Sequence, residues 1–177
     1  MRNLVYLSLG SNIGDREASL RDAIARLQTV GRVASVSSFY ETEPVEFTDQ
    51  GWFLNCAVAL DTTKTPEQLM AAILQIEHEM GRQRLQRKGP RVIDIDILLF
   101  SDKIVDSSEL TIPHPAMQER RFVLQPLAEI AQEARHPVLK KTVRELLDAL
   151  PAGQTVRKQQ DKQPRITRIS GIKKPQE

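Results

Sequence analysis

Only one cysteine, Cys56, occurs among the 177 residues. No disulfide can form within the chain, and a reducing compartment is expected. Aromatic residues are scarce at 5%, which argues against a surface built to stack nucleic-acid bases. Neither sign of charge dominates: the formal net charge is +2, so basic residues matter only where they cluster. No apolar run approaches the length that spans a bilayer. The apolar part of the first ten residues is too short for a signal peptide and lacks a cleavage site. These absences lead to an expectation of a cytoplasmic protein with no membrane partner. The 40% apolar and 27% charged content is that of an ordinary globular protein with a real core. No internal repeat is evident.

One stretch stands out. Between Gly81 and Asp96 lie Arg82, Arg84, Arg87, Lys88 and Arg91, with no acid among them, and then a run carrying Asp94 and Asp96. The spacing predicts a strand over 92–100 with Ile93, Ile95, Ile97 and Leu99 on one face, leaving Asp94 and Asp96 together on the other. Carboxylates two apart on a strand face have Cα atoms roughly 6.5–7 Å apart, close enough to share hard cations. A solvated strand face would read the same way. Position favours the metal: aspartate is a poor strand former, and two of them directly follow a basic loop. Basic residues beside paired carboxylates suit a polyphosphate with its magnesium.

Taken in order, the chain predicts a first strand over 4–9, with Gly10-Ser11-Asn12-Ile13-Gly14 as a tight turn. Asp15 is the expected cap of a helix carrying Leu20, Ala23, Ile24 and Leu27, stopped at Gly31. A second strand is expected over 33–40, followed by a long loop, 41–52, holding Pro44, Phe47 and Trp52; loops of that length in a small domain are functional or disordered. The third strand, 53–60, sets Leu54, Cys56, Val58 and Leu60 against Phe53, Asn55, Ala57 and Ala59. Asn55 reads equally as a core amide or as one that hydrogen-bonds a planar heterocycle. Thr65-Pro66-Glu67-Gln68 opens a capped helix that Gly81 closes; His78, near its end, is expected to be solvated. Strand, helix, strand, strand, helix, strand is the split βαβ pattern of a ferredoxin-like α+β fold, an antiparallel sheet with helices packed on its face. Beyond it come short strands near 103–105 and 110–112, then His114 between two prolines, then Arg120 and Arg121 ahead of Phe122. Thr142 and Glu145 form a second capping box on a C-terminal helix ended by Pro151. The expected organisation is one domain over 1–151 and a basic, loosely attached extension over 152–177.

Several pieces now occur in a specific order: Leu9-Gly10-Ser11-Asn12, Phe53-Leu54-Asn55, Glu77 with Gly81-Arg82, Gly89-Pro90-Arg91 with Asp94-Ile95-Asp96, and Pro113-His114-Pro115 with Arg120 and Phe122. Together, over about residues 3–150, they resemble the 6-hydroxymethyl-7,8-dihydropterin pyrophosphokinases of folate biosynthesis. The resemblance implies an ATP-dependent transfer of diphosphate to the pterin hydroxymethyl group, with AMP released. It implies catalytic roles for Arg82, Arg91, Asp94 and Asp96, with two magnesium ions on Asp94 and Asp96. The pterin would meet Thr42, Pro44, Val45, Phe53, Asn55 and Phe122. ATP would meet Glu77, Arg82, Arg84, Arg91, Ile97, Thr111, His114 and Arg120. Lys88 stands where some members carry an aromatic residue, and Phe53 where a tyrosine occurs.

The expected partners are ATP and the pterin, with no nucleic acid, and the expected state is a monomer. The competing class is an RNA-binding ferredoxin-like module, which the basic loop and tail suit but the sparse aromatics do not. A metal-dependent nuclease would use the same aspartates without needing a heterocycle pocket.

Overall fold

The amino-terminal apolar run becomes the strand on which the sheet is built, β1 (Asn3–Ser11). Val5, Leu7 and Leu9 are fully buried on one face, each contributing about 1.5–3 kcal/mol of apolar burial. The computed structural model describes residues 1–44, 51–81 and 91–160. After β1 come α1 (Arg16–Leu27), β2 (Arg32–Val36), β3 (Tyr40–Thr42), β4 (Phe53–Thr62), α2 (Pro66–Glu79) and β5 (Asp94–Phe100). A two-stranded ribbon, β6 (Val105–Asp106) with β7 (Thr111–Ile112), follows, then α3 (Arg121–Ala131), α4 (Val143–Asp148) and β8 (Val156–Lys158). The main sheet runs β5-β1-β4-β3-β8, with β2 also paired to β4, and every pairing is antiparallel. This is the expected α+β, ferredoxin-like arrangement.

Local chemistry sets the helix ends as the sequence predicts. Asp15 accepts from the Ala18 N–H at 3.0 Å. Thr65 with Gln68, and Thr142 with Glu145, form reciprocal capping boxes. Gly81 closes α2 at φ 83°, a conformation that costs a residue with a Cβ. His78 is exposed, as expected. Gly31 acts differently from expectation: α1 ends at Leu27, and a Cβ at position 31 would come within 2.5 Å of the Asp61 carbonyl oxygen. Its bareness permits close approach to β4 rather than stopping the helix.

Three further differences matter. β1 continues through Gly10 and Ser11, which were expected to turn, because both pair with β4. The single strand expected over 33–40 is two strands. At the break the Ser37 hydroxyl accepts from the Ala57 N–H at 2.8 Å, so a side chain replaces one rung of the ladder. The sheet is covered on both faces: α1 and α2 pack with Leu54, Cys56, Val58 and Leu60 on one side, and α3 and α4 with Tyr6, Ala57 and Leu99 on the other. α3 escapes a pattern reading because Pro126 lies inside it, where proline ordinarily interrupts a helix.

α3 also anchors the strand break. The Glu129 carboxylate accepts from the Ser38 N–H at 2.9 Å, from the Tyr40 hydroxyl at 2.8 Å and from the Ser38 hydroxyl. Burial pushes the Glu129 pKa up, but these hydrogen bonds and the nearby Lys158 charge outweigh it and hold the carboxyl below its usual range. Its stabilising effect is therefore complete above the unfolded value near 4.5 and lost as pH falls below it. Glu129→Gln, with one acceptor oxygen where there were two, is expected to cost about 1–2 kcal/mol at pH 7. Denaturant unfolding should show the gap from wild type closing toward pH 3; a gap of equal size at both pH values would refute this account of Glu129.

Candidate active site

Antiparallel neighbours directly opposite one another point to the same face. β1 pairs with β4 on one side and β5 on the other, so the register itself composes a site. Gly10 lies between Asn55 and Asp94, and Ser8 between Ala57 and Asp96. Two interstrand spacings separate the outer members of each row, about 10 Å. Asp94 and Asp96 are partly exposed while Ile95 and Ile97 are buried, as the alternation predicts.

At one end of the first row Asn55 is buried, and its Nδ2 donates to the Thr42 Oγ1 at 2.5 Å. A Cβ on Gly10 would sit 2.6 Å from the Asn55 Oδ1 and 3.5 Å from the Phe53 ring. Glycine is required there so that the amide can lie flat across β1. The amide is thereby oriented, with Oδ1 and a second N–H making no other hydrogen bond among the described residues. Phe53, two residues before Asn55 on the same strand face, is partly buried, as is Pro44.

At the other end, Arg91 Nη1 donates to Asp94 Oδ2 at 2.8 Å. His114 belongs to the same neighbourhood. Burial first, and then the Arg120 charge, push its pKa down to about 4, with Asp94 pulling the other way. It is a neutral imidazole at physiological pH. Its Nδ1 accepts from the Ala116 N–H at 3.1 Å, which leaves the proton on Nε2 as a donor. Its backbone N–H donates to the Leu98 carbonyl at 3.0 Å, docking the loop on β5. Arg120 stacks over the Phe122 ring at 5.6 Å.

Some expected residues have different surroundings. Ile97 faces the apolar core, and Glu77 is buried with Oε2 accepting from the Ile95 N–H at 2.9 Å. That bond fixes the backbone between the two aspartates. Thr111 is exposed on the β6–β7 ribbon. Val45, Arg82 and Arg84, with Arg87 and Lys88, lie outside the described residues.

The pattern reading missed the residues that frame the site. Asn12 donates its backbone N–H to the Arg91 carbonyl at 3.0 Å, accepts the Arg91 N–H on Oδ1 at 2.7 Å, and donates Nδ2 to the Gly51 carbonyl at 3.3 Å. Arg16 grips Glu41 with two nitrogens at 3.0 and 2.8 Å and reaches the Trp52 carbonyl at 3.0 Å. The only signal was the Gly-Ser-Asn run, whose composition reads as a turn.

Among the described residues no group of three His, Cys, Asp or Glu side chains could enclose a metal by itself. Two carboxylates at a strand face still suit magnesium, which takes few protein oxygens and leaves positions for phosphate and water. A base-stacking sheet needs an open face, and α3 and α4 cover the one that carries Tyr6 and Ala57.

Known proteins resemble this chain in sequence and in fold. The family model described as 7,8-dihydro-6-hydroxymethylpterin-pyrophosphokinase (HPPK) matches residues 6–132. The 2-amino-4-hydroxy-6-hydroxymethyldihydropteridine pyrophosphokinase of Bacillus subtilis is 51% identical over 135 residues, covering 75% of this chain and 81% of the relative. Its namesake in Methylorubrum extorquens is 50% identical over 151 residues, covering 84% and 94%. The crystal structure of Plasmodium falciparum HPPK-DHPS with pteroate shares the fold at TM-score 0.67 and 20% identity, with 84% of this chain matching 42% of that longer one. The chain is an enzyme that belongs to the 7,8-dihydro-6-hydroxymethylpterin-pyrophosphokinase (HPPK) family.

Proposed function

We propose that this enzyme transfers the terminal diphosphate of ATP to the hydroxymethyl oxygen of 6-hydroxymethyl-7,8-dihydropterin, releasing AMP, with two magnesium ions held by Asp94 and Asp96. The observation that carries the reading is the row Asn55–Gly10–Asp94. It sets an oriented amide, able to read a flat heterocycle, about 10 Å from a carboxylate able to hold the magnesium of a metal–polyphosphate complex. A hydroxymethyl arm on the heterocycle then points across β1 toward the phosphates.

In the reaction the hydroxymethyl oxygen attacks the β-phosphorus. The bond from that phosphorus to the α,β-bridging oxygen breaks, AMP carries the electron pair away, and the hydroxyl proton passes to solvent. Magnesium supplies charge neutralisation and alignment of the phosphates. The chain's own part is positional. Asn55 and Thr42 hold the pterin edge, with Phe53, Phe122, Pro44 and Val45 around its rings. Arg82, Arg84, Arg91 and Arg120 offset phosphate charge, and neutral His114 donates from Nε2 without adding charge. Arg91 can pass from Asp94 to a phosphate oxygen, or bridge the two. Glu77 fixes the backbone of β5 between the aspartates, Thr111 lies on the nucleotide side, and Ile97, whose side chain faces the core, contributes only backbone there.

The direct test is nucleotide chromatography after mixing enzyme, ATP, magnesium and 6-hydroxymethyl-7,8-dihydropterin. AMP should appear in step with a pterin diphosphate and only with metal; ADP would show that the wrong phosphorus had been assigned. Asp96→Ala is expected to lower kcat by about 10²–10³ with little change in Tm, because its side chain is partly solvated. A Tm that collapsed alongside activity would make Asp96 structural. Gly10→Ala should drive the Asn55 amide aside and raise KM for the pterin about tenfold or more while leaving KM for ATP nearly unchanged. Equal losses for both substrates would remove Asn55 from the reading role.

A further inference from the structure

Within the segment expected to be loosely attached, residues 154–159 are instead fastened to the sheet. β8 pairs with β3 in the register Tyr40–Lys158, Glu41–Arg157 and Thr42–Val156, and the Gln159 N–H extends the ladder to the Phe39 carbonyl at 2.8 Å. The fastenings concentrate at the two ends of the loop that follows β3. At its start, Thr155 N–H donates to Glu43 Oε1 at 2.6 Å and Gln154 Nε2 to the Glu43 carbonyl at 2.9 Å. At its end, the Arg157 guanidinium lies 5.1 Å from the centre of the Trp52 ring, within cation–π range.

β8 does this without adding to the core. None of residues 151–160 is buried, so little of the molecule's apolar stabilisation passes through it. What it changes is β3. A three-residue strand paired on one side only is marginal, and β3 carries Thr42, whose hydroxyl orients the Asn55 amide. With β8 in place β3 is an interior strand, and Thr42 is held from both sides.

We infer that the C-terminal strand β8 is a positioning element for the heterocycle pocket, holding Thr42, and through it the Asn55 amide, in the orientation that reads the substrate edge. This rests on the proposed pterin role of Asn55. The action is local: β8 is separated from Asp94 and Asp96 on β5 by three strands, β3, β4 and β1. It should therefore tune heterocycle affinity and leave phosphate handling alone.

The test uses full-length variants at Arg157, a residue with no assigned contact to substrate. Proline has no N–H and is excluded from a strand interior, so Arg157→Pro should release β8, whereas Arg157→Ala removes only the contact with Trp52. Arg157→Pro is expected to raise KM for the pterin about fivefold or more, with KM for ATP within about twofold and Tm nearly unchanged. Arg157→Ala should give a smaller rise, and Arg157→Lys, which keeps the cation, should restore much of it. An unchanged pterin KM in Arg157→Pro, or a matched rise in both KM values with a falling Tm, would overturn the inference. The side-chain amide resonance of Asn55 in ligand-free protein gives a reading independent of turnover. It should be sharp in the wild type and shifted or broadened in Arg157→Pro, and an identical resonance in both would also overturn the inference. If the wild-type chain turned over no pterin yet the resonance responded as expected, the proposed substrate would fail while the coupling of β8 to Asn55 stood.

Discussion

The site depends on one strand being flat where it crosses its neighbours. β1 pairs with β4 and β5 at once, and Gly10 carries nothing into the space between Asn55 and Asp94. Any Cβ there would strike the amide oxygen. Because directly opposed residues share a face, that single bare position lets the Asn55 amide on one strand and the Asp94 carboxylate on another face the same side of the sheet. The proposed in-line transfer needs this distance to be fixed, since catalysis without covalent help rests on alignment.

Everything else holds that row in place. One face of the sheet is sealed by α1 and α2, and α3 and α4 cover part of the other, leaving Asp94 and Asp96 partly exposed, so β1 and β4 cannot slip by one residue without turning their buried leucines and valines off the α1–α2 side. Buried polar groups then make local adjustments. Glu77 secures β5 between its aspartates, Asn12 ties the Arg91 end of the basic loop to Gly51, and Arg16 with Glu41 and Trp52 fixes the approach to β4. Glu129 and β8 brace the short strand β3 from opposite directions. The imidazole of His114, kept neutral by burial and by Arg120, is held by the Ala116 N–H with its proton on Nε2.

Much of this was legible in the residues. A short apolar run located β1 and period-two alternation β4 and β5, both capping boxes lay where Thr-x-x-Gln and Thr-x-x-Glu predict, and Asp94 and Asp96 stood out as a pair on one strand face. What failed did so for identifiable reasons. Gly10 and Ser11 have turn composition, yet pairing with β4 keeps them extended. Pro126 masks α3, whose apolar face is buried against Leu98 and Leu99. The segment after Pro151 reads as a solvated tail because β8 is made by backbone hydrogen bonds, which leave no mark on hydrophobic pattern.

Sequence alone therefore singled out the candidate residues for chemistry, because paired carboxylates, clustered arginines and a mid-strand amide are properties of side-chain type and spacing. It also determined the order of the core elements, because burial imposes a period. Only the tertiary structure decided how those groups meet. The register that aligns Asn55, Gly10 and Asp94, the grip of Asn12 on Arg91 and the addition of β8 to β3 all join residues far apart in the chain. Contacts of that kind are chosen by the packing of whole elements, and no local stretch of sequence encodes them.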